Sequence, residues 1–107
     1  MESQRAYFYI LTNKRNSVLY SGSTKDLITR IKTHRRASRK GFTQKYNVRE
    51  LIYYEIFDKI DKARAREFKI KGWNRRRKIE LIESQNKNWQ DLYDTLLRDP
   101  SALRASG

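Results

Sequence analysis

Cysteine is absent from the 107-residue sequence. Its absence excludes disulfide bonds, thiol nucleophiles and zinc sites with thiolate ligands. Long hydrophobic runs are also absent, so no segment is predicted to cross a bilayer. The polar residues 1–5 are not followed by the apolar core and small-residue cleavage site of a signal peptide. We therefore expect a cytoplasmic protein.

Acidic residues are few compared with basic ones. Asp and Glu number 12 against 25 Lys and Arg, which gives a formal net charge of +13. Self-repulsion of this size is commonly relieved by an anionic partner. Nucleic acid is the first candidate, because no basic segment has the broad apolar face that binding to a membrane surface requires. We expect DNA, or RNA, as the partner and no membrane association.

Apolar residues are nevertheless numerous enough for a folded domain. They make up 37% of the chain, which includes two Trp, seven Tyr and four Phe, a composition unlike that of disordered segments. A chain of this length normally forms one domain. We expect this domain to span residues 1–98, with a flexible tail over residues 99–107. A monomer is favoured, although the apolar stripe of the last predicted helix leaves a dimer open.

The apolar pattern predicts a small three-stranded sheet flanked by helices, an α+β fold with the order β-β-α-β-α-α-α. The uninterrupted apolar run over residues 7–11 is typical of a central strand buried on both faces. Turn-forming residues 12–17 and apolar residues 18–20 complete a β-hairpin, which residues 21–24 should end. Residues 51–57 form a second buried strand.

The first predicted helix lies between the hairpin and the last strand. Ser23 or Thr24 can cap it, with Asp26 in its first turn. It should end between residues 34 and 39, and residues 41–47 should form a loop.

Three more helices are predicted after the last strand. One covers about residues 62–71, with Gly72 as a left-handed terminus. The next begins at Asn74 or the following residue. The last covers about residues 89–98, with Asn88 as its cap.

Five residues have types that suit phosphodiester hydrolysis: Tyr9, Tyr20, Arg30, His34 and Glu67. Arg30 and His34 are four positions apart, so they project from one face of the first helix. Each of the five also has an ordinary explanation when taken singly. Strand tyrosines usually pack their rings, Arg30 and His34 could be solvated, and Glu67 could pair with a neighbouring cation.

The joint spacing of these residues resembles that of the GIY-YIG nuclease superfamily. Tyr9 matches the tyrosine of the first signature, and Tyr20-Ser21-Gly22 matches the second, with Ser in place of the usual Ile. Eleven positions separate Tyr9 from Tyr20, and ten separate Tyr20 from Arg30, which His34 follows four positions later. The resemblance covers about residues 5–83.

The resemblance implies a DNA endonuclease that uses one divalent metal ion, Mg²⁺ or Mn²⁺, bound by the Glu67 carboxylate. Tyr9 would act as the general base or orient the attacking water, and Arg30 would hold the scissile phosphate. Tyr20 and His34 would complete the site, Tyr20 by a hydrogen bond and His34 by proton transfer or phosphate contact. A phenol, with a reference pKa of about 10, can serve as a base only if its surroundings lower or bypass that value.

Two further residues, Ser23 and Asn74, are possible members of the site. Many superfamily members carry an Asn after the metal-binding Glu. Asn74 and Asn86 both follow Glu67, and Asn74 is the candidate we retain. Ser21, in place of the usual Ile, changes a packing position rather than a reacting group.

Two clusters of basic residues are expected to contact the nucleic-acid backbone. They consist of Lys32, Arg35, Arg36, Arg39 and Lys40, and of Arg75, Arg76 and Arg77. The sequence has no appended helix-turn-helix or zinc finger, so we expect backbone or structure-selective contacts rather than base readout.

Two alternatives to an endonuclease remain. One is a non-catalytic nucleic-acid-binding module that retains the fold, and the other is an accessory subunit whose specificity comes from a partner protein. Glu67 favours the endonuclease, because a pure binding module has no need for a carboxylate that repels phosphate beside a basic face.

Overall fold

A computed structural model describes residues 5–39 and 48–98. The predicted α+β fold and the order of its elements are confirmed. The elements are β1 (Ala6–Thr12), β2 (Leu19–Thr24), α1 (Leu27–Arg39), β3 (Glu50–Phe57), α2 (Ile60–Lys71), α3 (Arg75–Gln85) and α4 (Tyr93–Arg98). The loop predicted over residues 41–47 and the tail predicted over residues 99–107 lie outside the described residues.

The sheet has the strand order β2-β1-β3, and both pairs of neighbouring strands are antiparallel. Every residue of β1 is buried. This confirms the prediction of a central strand covered on both faces, which the uninterrupted apolar run over residues 7–11 indicated.

Helices cover both faces of the sheet. Alternate side chains of β1 point to opposite faces, so β1 contributes to a core on each side. On one face, Tyr7, Tyr9 and Leu11 form a core with apolar side chains of α1 and α4. On the other face, Phe8 and Ile10 form a core with side chains of β3, α2 and α3. Within residues 5–39 and 48–98, no helix is both long enough and apolar enough to cross a membrane.

The second strand is longer than predicted. Residues 21–24 were expected to end the hairpin, but they pair with β1 up to the Tyr7–Thr24 pair. Ser23 and Thr24 therefore belong to a strand and do not cap α1. Asp26 is the cap instead, since its Oδ1 accepts a hydrogen bond from the Thr29 backbone N–H at 3.2 Å.

The helices after β3 differ in detail from the predictions. Helix α2 begins at Ile60, two positions before the predicted start. Gly72 is right-handed, with φ −80° and ψ −7°, so the prediction of a left-handed terminus is wrong. Its N–H donates to the Lys69 carbonyl in a tight turn. Helix α3 then begins at Arg75, one of the two predicted starts, and Asn74 caps it by accepting a hydrogen bond from the Arg77 N–H at 2.8 Å.

The last helix is shorter than predicted, because a turn occupies its expected first residues. The buried Asn86 donates to the carbonyls of Ile52 and Gln90 and accepts from the Gln90 N–H. Trp89 has a φ of 55°, which is incompatible with a right-handed helix. Helix α4 therefore begins only at Tyr93, and the predicted cap at Asn88 is wrong.

Candidate active site

The phenol ring of Tyr9 lies against the backbone of Gly22. The two residues face each other across β1 and β2. A Cβ atom placed on Gly22 would lie 2.5 Å from Cζ of the ring. The glycine is therefore required for the ring to cross the neighbouring strand, and this explains in physical terms why a tyrosine and a glycine occur at these two positions.

Three aromatic rings meet at this end of the sheet. The rings of Tyr20 and His34 are in edge contact, with centroids 4.9 Å apart. The Tyr9 ring lies 6.5 Å from that of Tyr20 and 6.3 Å from that of His34. Tyr9 is 2% exposed, whereas Tyr20 is 43% exposed. The cluster therefore extends from the core to the surface, where a substrate can approach it.

Arg30 is an exposed residue one helical turn before His34 on α1. Its backbone N–H donates to the Asp26 carbonyl at 3.1 Å, but its guanidinium forms no hydrogen bond or ion pair with any residue in the described part of the chain. Its charge nevertheless acts on the pKa values of both Tyr9 and His34, so the guanidinium lies close to the aromatic cluster. An arginine in this state can bind an anion with all its donors.

Glu67 comes from α2, which packs on the sheet face opposite to α1. Its Oε1 accepts a hydrogen bond from the Ser23 hydroxyl at 2.6 Å, and its Oε2 forms an ion pair with Lys71 at 2.6 Å. Ser23 adjoins Gly22 on β2, and the charge of Glu67 acts on the Tyr9 phenol. The carboxylate and the phenol are therefore near each other at the β2 edge of the sheet, although they belong to opposite layers.

The surroundings shift the pKa values of Tyr9 and His34. Burial raises the pKa of the Tyr9 phenol, and Tyr20 and Glu67 raise it further, which outweighs the opposing charge of Arg30. Burial lowers the pKa of His34, and the charge of Arg30 acts in the same direction. At neutral pH the phenol therefore keeps its proton and the imidazole is uncharged.

The Glu67 carboxyl is ionised at neutral pH. Its partial burial tends to raise its pKa, but hydrogen bonds from Lys71 and Ser23 and the nearby charge of Arg64 outweigh this and lower the pKa. The carboxylate is 20% exposed and its partner Lys71 is 57% exposed. Because the lysine is so exposed, it can move aside without disturbing the core.

The residues at the site fit one hard cation. Among residues 5–39 and 48–98, no three His, Cys, Asp or Glu side chains form a group that could hold a metal. A single ionised, partly exposed carboxylate suits Mg²⁺, which keeps several waters and is commonly held by one or two carboxylates together with substrate phosphates. Glu67 is the candidate ligand.

The two possible site residues differ in their surroundings. Ser23 is in contact with Glu67 through its hydroxyl. Asn74 instead uses its side chain to cap α3, so its contacts assign it to helix formation rather than to the group formed by Tyr9, Arg30 and Glu67.

The basic residues of the first predicted cluster divide into two kinds. Lys32 and Arg36 are exposed on α1. Arg35 is held by the fold: it forms an ion pair with Asp91 at 2.5 Å, and its guanidinium carbon lies 4.2 Å from the centre of the Tyr93 ring. The Arg39 side chain and Lys40 lie outside the described residues.

The second basic cluster is divided in the same way. Arg75 donates to the carbonyls of Asn16 and Ser17 in the hairpin turn, and Arg77 stacks over the Trp73 ring at 4.0 Å. Arg76 is 90% exposed, with Glu80 3.9 Å away. Of these three, Arg76 is the most available to a nucleic-acid backbone.

Two cations near the site escaped the sequence analysis. Lys25 and Arg64 line a cleft together with Arg30. In a chain with 25 basic residues, no local pattern distinguishes these two. The i+3 spacing of Arg64 and Glu67 on α2 is the one signal that could have pointed to Arg64.

The small α+β fold thus places two strand tyrosines, a helix arginine and one carboxylate near one edge of its sheet. The family model of the GIY-YIG catalytic domain matches residues 5–80. The chain therefore belongs to the GIY-YIG nuclease family, which implies endonuclease chemistry on nucleic acid in general and a dependence on divalent metal.

Relatives of this chain are small proteins named UPF0213. One from Clostridium perfringens is 38% identical over 80 residues, which cover 75% of this chain and 85% of the relative. Another, from Bacillus pumilus, is 36% identical over 83 residues, which cover 78% and 84%. The solution NMR structure of a UPF0213 protein from Bacillus halodurans matches with a TM-score of 0.53 and 32% identity, covering 87% of this chain and 96% of that one.

Proposed function

We propose that this protein is a DNA endonuclease that hydrolyses phosphodiester bonds with one divalent metal ion, Mg²⁺ or Mn²⁺. One observation carries the proposal. The ionised carboxylate of Glu67 and the phenol of Tyr9 lie near each other at one sheet edge, although α2 and α1 lie on opposite faces of the sheet. The Arg30 guanidinium, which has no partner within residues 5–39 and 48–98, lies close to them.

In this proposal, Glu67 would hold the metal ion in place of its ion pair with the exposed Lys71. The chemistry that such an ion would supply is Lewis acidity at the leaving oxygen. Ser23 keeps its hydrogen bond to Oε1 and so fixes the orientation of the carboxylate, as a hydroxyl next to a metal ligand commonly does.

Arg30 binds the scissile phosphate in this scheme. Its planar guanidinium can donate two parallel hydrogen bonds to phosphate oxygens, and it remains charged as negative charge develops there. It has no hydrogen bond or ion pair to give up within the described part of the chain, so binding does not disrupt a contact of the fold.

The pKa shifts of Tyr9 and His34 suggest different roles for the two residues in activating the attacking water. The raised pKa of Tyr9 favours a phenol that donates a hydrogen bond and orients the attacking water, rather than a general base. The lowered pKa of His34 favours an uncharged imidazole that accepts the proton of that water, either directly or through the Tyr20 hydroxyl. A charged contact between His34 and phosphate is disfavoured for the same reason.

The test is an assay of the purified protein with supercoiled plasmid, single-stranded DNA and branched DNA. Each substrate is incubated with Mg²⁺, with Mn²⁺ and with a chelator. We expect nicked or linear products that require the metal. Binding of DNA without cleavage under any of these conditions would contradict the proposal and support a non-catalytic binding module.

A further inference from the structure

An open cleft of about 650 Å³ lies next to the candidate active site. It is lined by residues of α1, of α2, of the end of β2 and of the segment that connects β2 to α1. Ser23 and Arg30 belong both to this cleft and to the candidate active site. A strand bound at Arg30 can therefore continue into the cleft without leaving the surface.

The lining of the cleft is basic and rich in hydroxyl groups. It contains the cations Lys25, Arg30 and Arg64 and the hydroxyls of Thr29 and Thr33, with Asp26 as its one carboxylate among the described residues. Asp26 is already used, because Oδ1 accepts from the Thr29 N–H and Oδ2 accepts from the Thr29 hydroxyl at 2.8 Å. The cleft therefore keeps an excess of positive charge.

The side chains of Lys25 and Arg64 have no partner in the fold. Both are exposed, and neither side chain forms a hydrogen bond or an ion pair within residues 5–39 and 48–98, although the charge of Arg64 acts on Glu67. Elsewhere in the protein, Arg35 and Arg66 are held by carboxylates. Unpaired cations that converge on one cleft from two different elements are suited to bind an anion.

We propose that Lys25 and Arg64 form a second phosphate subsite, which holds a backbone phosphate of the nucleic-acid strand next to the scissile one. The inference rests on the proposed function, because Arg30 defines the scissile position. No aromatic ring is among the described residues that line the cleft, so a base would have no ring to stack on there, whereas a phosphate finds the positive charges of Lys25 and Arg64.

The subsite defines the substrate class. A strand with phosphates on both sides of the cut contacts the active site and the subsite together, whereas a small phosphodiester contacts the active site alone. The enzyme should therefore act on polynucleotides. Loss of the Lys25 charge from the subsite should raise KM for DNA while leaving kcat within about twofold, as expected when binding is uniform in the ground and transition states.

The test measures binding in the presence of a chelator, so that it requires no cleavage. Glu67→Gln protein is compared with the same protein carrying Lys25→Gln and Arg64→Gln, by fluorescence anisotropy of a labelled oligonucleotide. A set of oligonucleotides carries one neutral methylphosphonate each, placed at successive positions. The matched control carries Lys87→Gln and Arg98→Gln, which remove the same charge from exposed residues outside the cleft.

We expect the cleft variant to bind about tenfold more weakly, comparable to the loss of a charge-assisted hydrogen bond, and the control to lose less than threefold. At one position, a methylphosphonate should weaken binding to the parent but not to the cleft variant. Equal losses in the two double variants, or the same methylphosphonate profile for both proteins, would overturn the subsite. If the methylphosphonate effect depends on the cleft residues but the wild-type protein never cuts DNA, the subsite is retained and only the nuclease function is refuted.

Discussion

Tyr9 and Gly22 occupy facing positions on neighbouring strands, and the ring of the first fills the space that a side chain on the second would need. This contact determines where the Tyr9 phenol lies in the candidate active site. The phenol reaches the sheet edge where Glu67 lies only because the strand between them has no side chain at that position.

The substitution Gly22→Ala tests this relationship. The added methyl group must displace the Tyr9 ring, so we expect the free energy of unfolding to fall by about 1–3 kcal/mol. We also expect cleavage to slow by roughly a hundredfold, since small misplacements of catalytic groups have effects of this size. Chemical denaturation and a plasmid cleavage assay measure the two effects.

Gly72→Ala is the matched control for this substitution. Gly72 is right-handed, and a Cβ atom there would lie 3.5 Å from the Lys69 carbonyl oxygen, an ordinary contact. We expect a stabilisation of about 0.4–1 kcal/mol and unchanged cleavage. If the two alanine variants have the same stability and the same cleavage rate, the Tyr9–Gly22 contact does not position the Tyr9 ring.

Glu67→Gln separates catalysis from binding. Removal of the carboxylate charge should reduce cleavage by at least about a hundredfold, a typical contribution of an electrostatic group at the reacting centre. DNA affinity measured in chelator should stay the same or rise, because a negative charge beside the phosphate is lost. The ion pair with Lys71 is partly exposed, so stability should change by less than about 1 kcal/mol.

Glu80→Gln on α3 is the control for Glu67→Gln. Glu80 is exposed and, like Glu67, forms an ion pair with a cation four positions away, Arg76 at 3.9 Å. The substitution should leave cleavage unchanged. A Glu67→Gln protein that unfolds, or that loses its DNA affinity, would show that Glu67 has a structural role instead of holding a metal ion.

The pH dependence of cleavage should report on His34. The pKa of His34 lies below its ordinary value, because of burial and of Arg30. Cleavage should therefore rise with pH as the imidazole loses its proton and reach a plateau by neutral pH. His34→Gln should remove this rise and lower the plateau. A rise that persists unchanged in the variant would assign it to another group.

The same shift predicts a small effect of pH on stability. Between the lowered pKa of His34 in the folded protein and its ordinary value, the unfolded chain binds more protons. Stability should therefore decrease as the pH falls through this interval. Thermal unfolding of the wild type and of His34→Gln over a pH series checks this, and identical slopes would contradict the shift.

Asn86→Ala tests the turn that replaces the first part of the predicted last helix. The buried amide makes three hydrogen bonds, to the carbonyls of Ile52 and Gln90 and from the Gln90 N–H. Their loss should destabilise the protein by about 2–3 kcal/mol. Asn88→Ala, at an exposed position two residues later, should change stability by less than about 0.5 kcal/mol. Equal effects would show that Asn86 does not organise the turn.

Local patterns predicted the elements well and their ends less well. The apolar run of β1 specified a central strand, because both faces of that strand are covered. The predicted cap of α1 was wrong because Ser23 and Thr24 pair with β1 in the sheet. Local capping preferences do not take such pairing between strands into account. The start of α4 was wrong because Asn86 bonds to Ile52 on a distant strand.

The sequence by itself determined the charge of the protein, the order of its elements and the shared helix face of Arg30 and His34, since these depend on composition and on local spacing. Only the tertiary structure decided that Glu67 lies near Tyr9 at the β2 edge and that the Tyr9 phenol keeps its proton. It also decided that Asp91 holds Arg35, whereas the Arg30 guanidinium has no partner among the residues that the structure describes. Side-chain pairing and pKa values depend on burial and on neighbouring charges, which arise when the two helical layers pack on the sheet.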